Sequence, residues 1–257
     1  MNQRYCISLV VVLLMTVLVL SAGCTSTTPQ AKTYVVGIDA EYPPYSYIDP
    51  DGNVTGFDVE SMRWIAAKEG FNVTFQPTAW DGIIPALQAG KIDIIYSGMT
   101  ITDERKEKVS FSIPYLKINQ SVAVHKEGNY TMDDFMAGGL IIGAQRGTTG
   151  AIWVEENLIE TRKMPAENLK VYDNFPLVVT DLAFKRIDAA IYDRPPLLDA
   201  IADKPLVIID PQIDTHEEYG VAVRKDDTLM LDAINKGLSS LMQDPYWEEL
   251  KQKYGLI

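Results

Sequence analysis

The chain has 257 residues, a formal net charge of −12 and 47% apolar residues. That length exceeds what one small core needs and suffices for two compact lobes. An acidic surface repels phosphate backbones, so nucleic acid is excluded as a partner.

Residues 1–23 read as an export signal. Arg4 gives a positive start, Ile7 to Leu20 is apolar, and Ser21, Ala22 and Gly23 lead into Cys24. The apolar run is shorter than the ~20 residues of a spanning helix, although an uncleaved membrane anchor is the alternative. The string LSAGC resembles a lipobox, which would make Cys24 the lipid attachment point; Ser21 stands where that motif usually has leucine. Cys6 and Cys24 are the only cysteines, so the body carries no internal disulfide. Residues 24–32 are polar and read as a flexible tether.

Thr33 begins an alternation of strands and helices. TYVVGIDA reads as a strand, YSYIDPDGNVTG as a hairpin turning at Asp49 to Gly52, and FDVESMRWIAAKEG as a helix closed by Gly70. NVTFQP is a strand, GIIPALQAG a short helix, and IDIIYSG a strand. The pattern then restarts. GLIIGAQ, NLKVYD, DAAIYD and PLVIID read as strands, separated by helices in AIWVEENL, FPLVVTDLAFKRI and PPLLDAIAD. The tail from Asp227 is helical. The expected division is lobe 1 at 33–117, lobe 2 at 118–218 and a return to lobe 1 at 219–257. The two crossings are placed in Lys117–His125 and Tyr219–Arg224.

Enzyme signatures are lacking. His125 and His216 are far apart, no cysteine nucleophile remains in the body, and no G-x-S-x-G elbow occurs. GAQRGTTG lacks the rest of a nucleotide-binding pattern. No metal or cofactor is expected.

Polar groups instead gather at strand ends and helix starts, where α/β sheets bind ligands. Asp39, Glu41 and Tyr42 follow the first strand, and Trp80 and Asp81 precede the short helix. Ser97, Gly98 and Thr100 follow the third strand, with Arg105 just beyond. In the second half, Gln145 to Gly150 follow one strand and Asp193 ends another. Each has a plainer reading. Arg105 in TDERKEK could be a solvated helix charge with Asp103 as N-cap. Asp193 before RPP could be a turn residue or N-cap. Tyr42 and Trp80 could be packing residues, and Asp39 and Glu41 exposed loop acids.

The strings GIDAEYPPYSY, GFDVE, WDGIIPALQAGKIDIIYSGMTITDERKEKVSFSIPY, QRGTTG, RIDAAIYD and YGVAV, in that order, resemble family 3 extracellular solute-binding proteins, the amino-acid receptors of ABC importers. The resemblance covers nearly the whole chain after the tether. It implies a type 2 periplasmic-binding-protein fold: two α/β lobes joined by two hinge strands, closing on a ligand in the interlobe cleft. It implies that Arg105 grips the α-carboxylate, with Thr100 and the backbone around Ser97 and Gly98 completing the head-group site. Thr148 and Thr149 would add donors, Asp193 would take the α-ammonium, Tyr42 and Trp80 would enclose the ligand side chain, and Asp39 would meet its polar end. A buried zwitterion needs both charges compensated, which Arg105 and Asp193 can do.

Asp39 and Glu41 are two apart, so in an extended segment both face one side. Two such carboxylates favour a basic ligand (arginine, lysine or ornithine), with a polar one such as glutamine next. The protein is expected to be a monomeric, exported receptor that delivers its ligand to an ABC permease and is held at the membrane by its N-terminus. The alternative is an enzyme on the same fold, a cyclohexadienyl or arogenate-type dehydratase, for which Glu41 is the spare acid or base.

Overall fold

The structure, a computed structural model, describes residues 31–256; the export signal, Cys24 and most of the tether lie outside the described residues. Two mixed sheets organise the chain from Thr33 onward. The first is built on β1 (Thr33–Ile38), an apolar strand buried at its C-terminal half. A small three-stranded ribbon, β2 (Glu41–Tyr42), β3 (Ser46–Ile48) and β4 (Val54–Thr55), leaves it. The turn at Asp49–Gly52 is held by Asp49, whose Oδ1 accepts from the amides of Asp51 and Asn53.

Helix α1 (Phe57–Glu69) buries Val59, Met62, Ile65 and Ala66 at helical spacing and ends on Gly70 in the left-handed region. β5 (Asn72–Pro77), the short α2 (Ile83–Gln88) and β6 (Ile94–Ile95) come after it. β1 pairs in parallel with both β5 and β6. Next come α3 (Asp103–Lys108) and β7 (Ser110–Phe111). Thr102, not Asp103, caps α3, its hydroxyl accepting from the Arg105 amide.

The second sheet begins with β8 (Leu116–His125). After α4 (Met132–Met136) it gains β9 (Ile142–Gln145), then α5 (Thr149–Val154), β10 (Leu169–Tyr172), α6 (Phe175–Ala183), β11 (Ala189–Asp193) and α7 (Arg194–Ile201). It closes with β12 (Leu206–Tyr219). The strand order is β10-β9-β11-β8-β12.

β12 is longer than PLVIID alone suggests. It runs antiparallel to β8 from Leu206 opposite His125 to Tyr219 opposite Leu116, with two register shifts on the way. The chain therefore returns to the first sheet beyond Tyr219, through β13 (Ala222–Val223), which pairs with β6 and β7. The return is stitched to the loop after β6: the Gly220 amide donates to the Met99 carbonyl and the Ile101 amide to that of Glu218. Helices α8 (Thr228–Leu241) and α9 (Pro245–Lys253) finish the chain, Trp247 meeting Phe57 of α1 with ring centroids 4.9 Å apart. Among the described residues no helix is long and apolar enough to cross a membrane.

Candidate ligand-binding cleft

Between the two sheets lies a cleft with about 280 Å³ of space between its atoms, open solvent included. Strand ends and loops of lobe 1 supply Asp39, Tyr42, Trp80, Ser97, Gly98, Thr100 and Arg105 to its lining, and lobe 2 supplies Thr148, Thr149, Tyr192 and Asp193.

Ser97 and Gly98 form a tight corner after β6. The Ser97 hydroxyl accepts from the Asp39 amide and exchanges a 2.7 Å hydrogen bond with Ser46. Gly98 has φ +57, and a Cβ there would meet the Tyr42 ring at 2.4 Å, so both conformation and space demand glycine.

Arg105 is 7% exposed, which removes the solvated-charge reading. Its two terminal nitrogens donate to the carbonyls of Thr100 and, across the cleft, Gly147. Its guanidinium lies 5.4 Å from the centroid of Trp80, whose Nε1 donates to the same Gly147 carbonyl. Burial pulls the Arg105 pKa down, and the charges of Asp193 and Glu217 oppose that. The planar fork keeps further N–H groups for a bidentate carboxylate.

Asp193 occupies the N-cap position of α7, but its side chain caps nothing. It is buried in the cleft instead. Tyr219 donates to Oδ2 at 2.8 Å, Tyr42 donates to the same oxygen, and Gln120 donates to Oδ1. A carboxylate offers about four acceptor sites, so three donors leave room for an ammonium. Burial, with Glu217 adding to it, pushes Asp193 up to about 6.

Asp39 accepts from Gln145 Nε2 at 3.0 Å, and Gln145 in turn accepts from Tyr192. Burial raises its pKa.

Glu41 corrects the sequence reading. It is exposed and lines a different opening, with Pro43, Phe175 and Lys204, rather than the cleft. The two-residue rule needs an unbroken strand, and the backbone leaves extended structure at Asp39–Ala40. The threonines are also spoken for. Thr148 caps α5, accepting from the Ala151 amide, while Thr100 and Thr149 both donate to Glu217.

Tyr192, Gln120, Tyr219 and Glu217 escaped the sequence reading. Gln120, Tyr219 and Glu217 lie on the paired crossing strands, where side-chain direction depends on the bulge in β12. No metal-holding group occurs among the described residues.

The model of the bacterial extracellular solute-binding proteins, family 3, matches residues 34–257. The L-cystine-binding protein TcyJ of Escherichia coli (strain K12) is 32% identical over 90% of this chain and 86% of that protein. The solved structure of an ancestral arginine-binding protein bound to arginine superposes with a TM-score of 0.79 at 33% identity, covering 88% of this chain and 99% of the other. The ancestral amino acid-binding protein AncCDT-1, a precursor of cyclohexadienyl dehydratase, gives 0.77 at 36% identity, covering 86% and 95%.

Proposed function

The chain belongs to the bacterial extracellular solute-binding proteins of family 3, and on that basis we propose that the cleft binds a free amino acid with a cationic side chain and hands it to an ABC importer. The observation that carries this reading is one cavity lined by a buried arginine on one lobe and a buried aspartate on the other. Arg105 takes the carboxylate and Asp193 the ammonium, so neither ligand charge is buried alone.

The preference for a basic side chain rests on Asp39 without help from Glu41. Asp39 and Asp193 are both buried and oppose the single arginine of the lining. A cation beside Asp39 relieves that excess, and the Trp80 and Tyr42 rings suit an alkyl stem or guanidinium. A neutral amide ligand is second, since Asp39 can accept from it.

The dehydratase alternative is the less supported: TcyJ is named as a binding protein, and AncCDT-1, although a precursor of cyclohexadienyl dehydratase, is itself named as an amino acid-binding protein. The protein acts outside the cytoplasm as a monomer, lipidated at Cys24.

The test is thermal unfolding and calorimetry with L-arginine, L-lysine, L-glutamine and L-glutamate. A ligand at a hundred times its Kd stabilises the folded state by about 2.7 kcal/mol. Arginine or lysine should raise the Tm most. An equal response to glutamate, or none to either basic ligand, overturns the reading.

A further inference from the structure

Glu217 was invisible in the sequence, yet it stands where three parts of the molecule meet. The residue is 9% exposed. Oε2 accepts from Thr100 Oγ1 of lobe 1 at 2.7 Å and from Thr149 Oγ1 of lobe 2 at 2.7 Å. Oε1 accepts from Gln120 Nε2, on the opposite crossing strand, at 3.1 Å.

The backbone explains how it arrives there. In the β8–β12 ladder Ile213 faces Gln120, but Ile118 faces Glu217 rather than Thr215. Extra residues are thus accommodated on one strand, and His216, at φ +50, absorbs the turn. The bulge sets Glu217 beside Ile118, on the same sheet face as Gln120, whose amide also reaches Asp193.

We propose that Glu217 is the positioning residue of the cleft: one carboxylate that ties a threonine from each lobe to the crossing strands and so fixes the approach of the lobes around a ligand. Both threonines line the cavity, and through them Glu217 sets the walls beside Arg105 and Asp193 without being the principal ligand contact. Charge-assisted bonds of this kind are about twice as strong as neutral ones, and networks of them are not additive. The proposal rests on the amino-acid-binding reading only for its effect on affinity.

It also has an electrostatic consequence. Asp193 faces Tyr42 from β2, Tyr45 from the turn after it, Gln120 from β8, its own neighbour Tyr192, Glu217 and Tyr219 from β12, and the field of Arg105 from α3. Glu217 is the one like charge among these, and it holds the Asp193 pKa up after burial itself. Removing its charge should move the acid side of the binding profile to lower pH.

The experiment is a double-mutant cycle on the full chain with Glu217→Gln, Thr149→Val and Thr100→Val, read by L-arginine calorimetry from pH 4.5 to 8. Glu217→Gln should weaken binding by roughly tenfold or more, by the arithmetic of 1.4 kcal/mol per decade. Each valine should cost severalfold in the wild-type background and little in the Glu217→Gln background, with Thr149→Ser restoring binding. The acid limb of Glu217→Gln should lie at lower pH than that of the wild type, a shift that loss of packing alone does not give. The same cycle read by thermal unfolding without added amino acid tests the contacts even where wild-type protein ignores arginine; such indifference would sink the ligand reading alone. Additive effects in both readouts, or an unmoved acid limb with wild-type affinity, overturn the proposal.

Discussion

Asp58, in the first turn of α1, accepts the Gly98 amide on Oδ2 at 2.7 Å, so a fully buried carboxyl holds the corner of the cleft from behind. Tyr115 donates to the same oxygen at 3.0 Å. Burial pushes Asp58 up to about 8, against the pull of these two donors. The native protein thus keeps a proton here that the unfolded chain releases near the ordinary value of 3.8.

Stability should therefore fall as pH rises between about 4 and 8, by about 1.4 kcal/mol per unit from this group. Asp58→Asn resembles the protonated acid and removes that slope. Denaturant unfolding at pH 5 and pH 7.5 should show the variant gaining about 2–4 kcal/mol on wild type over that interval. Parallel curves would show that Asp58 stays ionised.

Arg105→Ala leaves a ligand carboxylate and Asp193 poorly compensated and strips donors from the Thr100 and Gly147 carbonyls. Breaking a buried pair costs on the order of 3–5 kcal/mol, or at least a hundredfold in Kd. Arg105→Lys should fail nearly as badly, since an ammonium cannot form the fork. Calorimetry within threefold of wild type for the alanine variant would refute the assignment.

Asp193, raised to about 6, must be ionised to hold an ammonium. Affinity should be level above pH 7 and weaken roughly tenfold per unit well below the pKa, because protonation competes with the ligand. Asp193→Asn should bind poorly with a flat profile between pH 5 and 8. Wild-type binding that is unchanged at pH 5 contradicts the role.

Trp80 joins the lobes by its indole N–H to Gly147 and covers Arg105 with its ring. Trp80→Phe keeps the ring and loses the hydrogen bond, worth about 0.5–1.5 kcal/mol, so dissociation should speed up two- to tenfold. Trp80→Ala loses both and should exceed it. Stopped-flow dissociation rates separate the two, and a Trp80→Phe rate equal to that of the wild type would leave the N–H without a role.

Arg105 and Asp193 were legible because strand ends in an α/β sheet point to a crevice, and because the family motifs around them placed them there. Their burial decides against the plainer readings, which the sequence left open. Glu41 misled because alternation holds only along continuous strand, and the chain turns at Ala40. Glu217 was hidden for the converse reason: Pro211 and the polar run after it concealed a long strand whose bulge re-aims one side chain. Tyr192 was missed because it lies inside an apolar run, next to the aspartate that drew the eye. Of the fold, the order of strands and helices was readable from periodicity; which residue caps α3, and how far β12 runs, depended on contacts no local pattern encodes.

The two crossings between the lobes are neighbours in one ladder, joined from Leu206 and His125 to Tyr219 and Leu116. They are not two slack strings. A displacement of either strand drags the other through their shared hydrogen bonds, as in a leaf spring, so relative motion reduces to bending across the ribbon and twisting along it. A cleft that shuts about such a ribbon should have few directions in which to move, and should lose little orientational freedom on closing.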